Sequence, residues 1–304
     1  MKRREFLNLA LLSGVSAAYP FSTRAQETSD AFMRIIPSSG EPIPAVGLGS
    51  WITFNIGNDP LLLEECTAVM DRFFRDGGTM IDCSPMYGSS QDTIGYGLEK
   101  LGRGDSVFSA EKVWTRSADE RAEQLAQTQS KWGVPGFDLL QVHNLVAWQP
   151  HLAALQQMKA DGQLKYTGIT TSHGRRHREL ERIMSGETVD FVQLTYNPVD
   201  RDVESRLLPL ARERGIAVIV NRPFQRGALT QRLEGRPLPA FASELEADSW
   251  AQLIVKFIVS HPAVTCVIPA TTRVDHVTQN IEAARGPLPD ADLREKIAQA
   301  IRNA

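Results

Sequence analysis

The sequence predicts an α/β fold, a (β/α)8 barrel of the TIM type with an N-terminal β-hairpin and an extra C-terminal helix. Two observations carry this. Short apolar, strand-like runs alternate with helix-like segments from residue 46 to residue 284, eight of each. Three successive runs also carry a chemically active residue at their ends: Asp82 in the run 80–83, Lys112 closing 107–112, and His143 closing 139–143. In a parallel barrel the carboxyl ends of the strands gather at one mouth, so polar residues placed there converge on one site.

Residues 32–45 alternate and carry turn chemistry at Ser38-Ser39-Gly40 and Pro42, the pattern of a hairpin placed to plug the barrel base. Residues 46–51 form the first barrel strand, with Gly47 and Gly49 permitting close backbone approach. Asp59-Pro60 then caps a helix. Its apolar stripe is Leu62, Cys66, Val69, Met70, Phe73 and Phe74, and Gly77-Gly78 stops it. The strand at 80–83 leads to a helix near 90–100, and that at 107–112 to a helix opened by Ser117, which with Glu120 makes a capping box. The strand at 139–143 precedes a helix near 150–161, and that at 165–170 precedes the basic segment 173–184. The strand at 191–195 precedes a helix ending at Gly215, and that at 216–220 precedes a long excursion. A helix from about 243 to 261, a strand at 264–268, a helix near 274–284 and a tail helix at 290–302 complete the pattern. No internal linker interrupts it, so residues 26–304 read as one domain.

The chain is 42% hydrophobic and 23% charged over 304 residues, enough for a large core. A formal charge of −3 gives a nucleic-acid partner no electrostatic support. Cys66, Cys83 and Cys266 are far apart and have no metal-ligand spacing, so they read as buried small residues. Residues 1–25 read as a twin-arginine signal peptide. Arg3-Arg4 precedes Phe6-Leu7, an apolar run from Leu9 to Tyr19 follows, and Thr23-Arg24-Ala25 offers a cleavage site after Ala25. Four basic residues and one acid leave with that segment, so the mature chain carries −6. The apolar run is too short for a permanent anchor. The expectation is export by the twin-arginine translocase to the periplasm.

Lys112 ends an apolar run, where an ammonium is costly to bury without a partner, and Asp82 one strand away is its natural counter-charge. A tyrosine exchanges protons with difficulty at neutral pH, and a neighbouring ammonium lowers its pKa. Asp82, Tyr87, Lys112 and His143 are therefore the candidate catalytic group, weighed against a structural ion pair beside a core histidine and a surface tyrosine. His173 and His177 have the four-residue spacing of metal ligands, but they sit among Arg175, Arg176 and Arg178 and read as a solvated basic helix. There is no Gly-x-Ser-x-Gly elbow, no third glycine after Gly47-x-Gly49 for a dinucleotide loop, and no phosphate-loop lysine motif.

On these residues the chain resembles the aldo-keto reductases over 32–303. Asp82 and Tyr87 stand in the family's Asp-x-x-x-x-Tyr-Gly motif, and Lys112 and His143 follow as the other half of its tetrad. The resemblance implies an NADP(H)-dependent oxidoreductase acting on an aldehyde, ketone or alcohol. The hydride would come from the nicotinamide and the proton from Tyr87. It implies cofactor contacts at Ser50, Trp51, Thr170, Thr171, Gln193, Asn221, Phe224 and Arg226, and at Thr271, Thr272, Arg273, Gln279 and Asn280 for the adenosine half. Trp51, Met86, Trp114 and Asn144 fall where the family builds its substrate pocket. Three places depart from the pattern: Thr170-Thr171 replaces a Ser-Asn pair, Asn221 a stacking tyrosine, and Ala270 a lysine or glycine. The resemblance also extends to nucleotide-binding regulatory subunits with little turnover, and the same chemistry run backwards gives an alcohol or sugar dehydrogenase. At the adenosine end, Arg273 is the candidate receiver of a 2′-phosphate and Asp275 pulls towards a ribose hydroxyl, while a solvated first-turn Arg273 is the plain alternative.

Overall fold

The computed structural model describes residues 32–304, and the expected signal peptide lies outside them. Strands β1 (Met33–Ile35) and β2 (Pro42–Pro44) pair antiparallel as the hairpin. The barrel strands are β3 (Leu48–Gly49), β4 (Met80–Asp82), β5 (Phe108–Val113), β6 (Leu139–Val142), β7 (Tyr166–Thr170), β8 (Phe191–Thr195), β9 (Ala217–Asn221) and β10 (Cys266–Val267). They form one eight-stranded sheet in sequence order, with every neighbour parallel. The sheet closes on itself where Val46 and Gly49 bridge Val267 and Ala270. Gly47 N donates to Val267 O at 2.8 Å and Gly49 N to Pro269 O at 3.0 Å. A Cβ on Gly49 would stand 2.7 Å from Ile268 O, so the seam requires glycine there.

The surrounding helices are α1 (Pro60–Arg75), α2 (Ser90–Leu101), α3 (Arg121–Trp132), α4 (Trp148–Ala160), α5 (His177–Gly186), α6 (Leu207–Arg214), α7 (Ala228–Leu233), α8 (Trp250–Val259), α9 (Val274–Glu282) and α10 (Ala291–Asn303). Their apolar stripes pack on the outer faces of the strands and make the larger core. The barrel interior is a second core in which Met80, Phe108, Leu139, Tyr166 and Phe191 meet Ile36 and Ile43 of the hairpin. The Tyr166 hydroxyl bonds Glu41 Oε2 at 2.6 Å and Ser39 Oγ at 2.7 Å, tying the hairpin to the barrel it plugs. Helix α10 is held by the buried Arg294, which donates to Phe257 O and the Tyr196 hydroxyl, and to Glu204 Oε1 at 3.1 Å.

Several local expectations hold in atomic detail. Asp59 Oδ1 accepts from Leu61 N at 2.9 Å and Leu62 N at 3.2 Å, and Gly215 closes α6 with φ 65°. Others do not. Leu62 faces outward at 37% exposure, so the α1 stripe is Cys66, Thr67, Val69, Met70 and Phe73, with Phe74 half-buried against the core at its edge. The Ser117–Glu120 capping box does not form. Helix α3 starts only at Arg121, and Glu120 instead accepts from Thr115 Oγ1 at 2.5 Å within the preceding loop. The helix expected from 243 is two pieces, a 3₁₀ turn at Ala240–Leu245 and then α8. Ser249 is extended at φ −148° and caps α8 by accepting from Gln252 N at 3.2 Å. All three cysteines are buried and free. Among the described residues no helix is long and apolar enough to cross a membrane.

Helices α2 and α3 touch backbone to backbone at Gly95, where a Cβ would stand 1.9 Å from Lys131 O. Gly95→Ala should therefore destabilise the fold by about 1–3 kcal/mol through overpacking. A lowered urea midpoint at an unchanged m-value checks it.

Candidate active site

Side chains alternate across β5, so neighbouring Glu111 and Lys112 face opposite ways. Glu111 points outward under α2 and α3, accepting from Gln91 Nε2 and Trp132 Nε1 at 2.9 Å each. Burial pushes its carboxyl up to about 7 against the pull of Lys112 and these donors. Lys112 lies inside the barrel, fully buried. Its Nζ donates to Asp82 Oδ1 at 2.6 Å and to Cys83 O at 2.5 Å. Burial opposes its charge, but Asp82, Tyr87 and Glu111 together hold its pKa above the ordinary lysine value. The other Asp82 oxygen, Oδ2, accepts from Gln193 Nε2 at 2.8 Å and Gln141 Nε2 at 3.4 Å.

Tyr87 follows the turn after β4. Lys112 Nζ is 5.3 Å from its ring centroid, and the His143 ring meets it edge-on at 5.9 Å. The four candidate catalytic residues thus meet at one place. The tyrosine pKa differs from the sequence expectation: burial pushes it well above the usual value, and Lys112 pulls the other way without prevailing. The ammonium is itself countered by Asp82, so desolvation of the phenolate outweighs it. His143 is neutral, driven down to about 3 by burial first and Lys112 second. Its Nδ1 is 2.7 Å from Ser84 Oγ.

A cavity of about 730 Å³ opens at the carboxyl ends of the strands, in the range of small-molecule sites. It runs continuously from Asp82, Tyr87 and His143 past Thr170, Thr171, Gln193 and Asn221 to Thr271, Gln279 and Asn280. Ser50, Trp51, Met86, Asn144, Phe224 and Arg226 also line it. Trp114 does not. The residue is 42% exposed, and its backbone N and O are clamped by the Gln124 side chain at 2.7 Å each. Thr272 and Arg273 lie outside the lining as well, and Arg273 is engaged by Asp275 through contacts of 3.0 and 2.6 Å. Asn221 Nδ2 donates to Thr171 O at 2.9 Å and Gln193 Oε1 at 3.3 Å, while Thr195 Oγ1 donates to Asn221 Oδ1 at 2.7 Å.

Ser84, Gln141 and Arg222 join the site without having been expected from the sequence, whereas Arg226 was. Ser84 stands two residues past Asp82, a position that its place after a strand end could have flagged. Gln141 lies mid-strand and carries no sequence signal. At the mouth, Arg222 and Arg226 both reach His173 Nε2, at 2.8 and 3.1 Å, and the Arg226 guanidinium lies 4.2 Å from the Trp51 ring centroid. That packing makes one edge of the cavity cationic. It also gives His173 a different task from metal ligation, and among the described residues no cluster of three or more metal-ligating side chains occurs. Backbone strain gathers at the same end: Ile52, Asn144, Leu145, His173, Arg222 and Arg226 all have positive φ.

The folded pKa of His143, about 3, lies below the unfolded value near 6.5, so the unfolded chain binds the extra proton. This stability is present above pH 6.5 and is lost as pH falls towards 3. Unfolding free energy measured from pH 7 to pH 4 should therefore fall less steeply in His143→Gln than in the natural chain.

Residues 45–300 match the Aldo/keto reductase family. The chain is 24% identical over 319 residues to an NADH-specific methylglyoxal reductase of Escherichia coli (strain K12), covering 84% of this chain and 95% of that one. It is 23% identical over 269 residues to the aldo-keto reductase str7 of Strobilurus tenacellus, covering 76% and 79%. Among solved structures, the holo form of an aldo-keto reductase from Bacillus halodurans superposes with a TM-score of 0.72 at 22% identity, covering 88% of this chain and 95% of that one. An aldo/keto reductase from Klebsiella pneumoniae in complex with NADP and acetate does so with 0.70 at 19%, covering 86% and 93%. With its barrel, its strand-end residues and a match over nearly all of the described residues, the chain belongs to the aldo/keto reductase family.

Proposed function

We propose that the chain is an NADP(H)-dependent oxidoreductase that reduces aldehyde or ketone carbonyls to alcohols, or runs the reverse. One observation carries the reading: Tyr87 sits on the wall of a continuous cavity with Lys112 and His143 against its ring. The donor set suits a dinucleotide. Gln193 and Asn221 bring amides to the inner end, Arg222 and Arg226 bring positive charge to the mouth, and Thr271, Gln279 and Asn280 line the far end. When bound, the nicotinamide supplies the hydride. Burial keeps the Tyr87 hydroxyl protonated, so it is ready to give its proton to the carbonyl oxygen. The Lys112 ammonium, fixed by Asp82, favours the phenolate left behind. His143, neutral, buried and in contact with Ser84, orients the carbonyl oxygen. Trp51, Ile52, Met86 and Phe224 give the substrate end apolar and aromatic walls, and Asn144 gives it a polar edge. The test is an NADPH fluorescence titration followed by addition of small aldehydes, methylglyoxal among them because the E. coli relative is named for it. Oxidation of NADPH is expected. Tight binding without oxidation would point to a nucleotide sensor.

The choice of NADP over NAD is assigned to Arg273, with backbone N–H groups at the start of α9 beside it. Asp275 already holds that guanidinium, so a 2′-phosphate must compete for it. Arg273→Ala should weaken NADPH binding roughly ten-fold or more, with NADH affected much less, as expected for a charge-assisted hydrogen bond. Asp275→Asn should favour NADPH. Equal losses for both nucleotides in Arg273→Ala would reject the assignment.

The Arg3-Arg4 pair ahead of its apolar run supports export by the twin-arginine route, with residues 1–25 removed and the mature domain in the periplasm. That route carries folded proteins, which suits a barrel that takes up its nucleotide before leaving the cytoplasm. Changing Arg3 and Arg4 together to lysine should leave the precursor in the cytoplasm, read by fractionation. Normal export of that variant would remove the motif from the reading.

A further inference from the structure

We infer that Ser84 is a positioning residue that fixes the tautomer of His143, so that the imidazole presents an N–H, through Nε2, to the substrate oxygen. The inference rests on the carbonyl-orienting role proposed for His143. Ser84 is fully buried, and its Oγ lies 2.7 Å from His143 Nδ1. Its other side-chain partner among the described residues is the backbone N–H of Met86, which donates to the same oxygen at 3.4 Å. A hydroxyl has one hydrogen to give and two lone pairs to offer. The Met86 contact uses a lone pair, because an amide N–H can only donate. If Nδ1 also carried a proton and donated, the serine hydrogen would be left buried with no acceptor, an arrangement that folded proteins avoid. The arrangement that satisfies every group has the hydroxyl donating to Nδ1. The single proton of the neutral ring is then on Nε2, the ring nitrogen left to the cavity that His143 lines.

Two further observations make the ring a fixed donor. Burial and Lys112 keep it neutral across the physiological range, so tautomer and not charge decides which nitrogen donates. The backbone after it is also pinned: Asn144, in the left-handed region at φ 51°, donates its N–H to Thr170 Oγ1 at 3.0 Å. Asp82 sits on β4, and Ser84 stands in the turn that links it to Tyr87. One short segment therefore supplies the counter-ion of Lys112, the orienter of His143 and the proton donor.

The test is ¹⁵N–¹H correlation NMR of histidine-labelled protein at pH 7, with the His143 signals assigned by their loss in His143→Gln. The natural chain should show the Nε2–H tautomer alone. In Ser84→Ala the signals should shift towards a mixture. The kcat for carbonyl reduction should fall about ten-fold while nucleotide affinity stays unchanged, and Ser84→Thr, which restores a hydroxyl, should recover both tautomer and kcat. An Nδ1–H tautomer in the natural chain would overturn the inference whether or not the alanine variant folds. So would an unchanged tautomer and kcat in Ser84→Ala. Because the tautomer is read without turnover, these results separate from a failure of the reductase reading, in which the natural chain would oxidise no NADPH with any carbonyl.

Discussion

The contact on which the rest of the site depends is the ion pair between Lys112 and Asp82, closed at 2.6 Å inside the barrel with both side chains at 3% exposure or less. An isolated ammonium there is untenable, and removing one partner of such a pair typically costs about 3–5 kcal/mol. The surroundings follow from that constraint. Cys83 O accepts a second hydrogen bond from the ammonium, and Gln193 and Gln141 turn their amides to the remaining carboxylate oxygen. Gln193 in turn accepts from Asn221, so the network extends to the cavity wall. A buried pair of this kind is poor value as a stabiliser, and its retention is understandable as a means of keeping one fixed positive charge beside Tyr87.

The barrel supplies the rigidity that such a site needs. At the base, the hairpin fills the interior with Ile36 and Ile43 and is tied down through Tyr166. At the mouth, positive-φ residues and a cationic edge collect in the loops. Packing at one end and strain at the other is the division expected when chemistry sits on the carboxyl ends of the strands. The tyrosine illustrates why the electrostatics must be taken as a whole. Burial is the largest influence on Tyr87 and raises its pKa, Lys112 lowers it and Asp82 raises it, and the hydroxyl stays protonated, as the proposed role of proton donor requires.

The strands and the residues at their ends were legible because each is local: an apolar run followed by Asp, Lys or His can be read without knowing what packs on it. The Asp59 cap and the Gly215 stop are local in the same sense. What the sequence concealed is which of several available partners, near or far in the chain, a side chain takes. Ser117 and Glu120 have the right spacing for a capping box, but Thr115 competes for Glu120. Gln141 looks like an ordinary strand residue until Asp82 is found facing it from β4. Arg273 invites a phosphate on its own and does so less once Asp275 is seen to grip it. Trp114 falls at a pocket-forming place in the chain order, yet Gln124 clamps its backbone outside the cavity.

The central claim is that Tyr87 gives the proton while its neighbours only tune and orient. The most direct measurement is single-turnover carbonyl reduction by Tyr87→Phe, with nucleotide affinity measured on the same preparation. The account predicts an intact fold, unchanged NADPH binding and a reduction rate lowered by at least about 10²-fold, the lower end of what a positioned proton donor contributes. Near-normal reduction by that variant would contradict it.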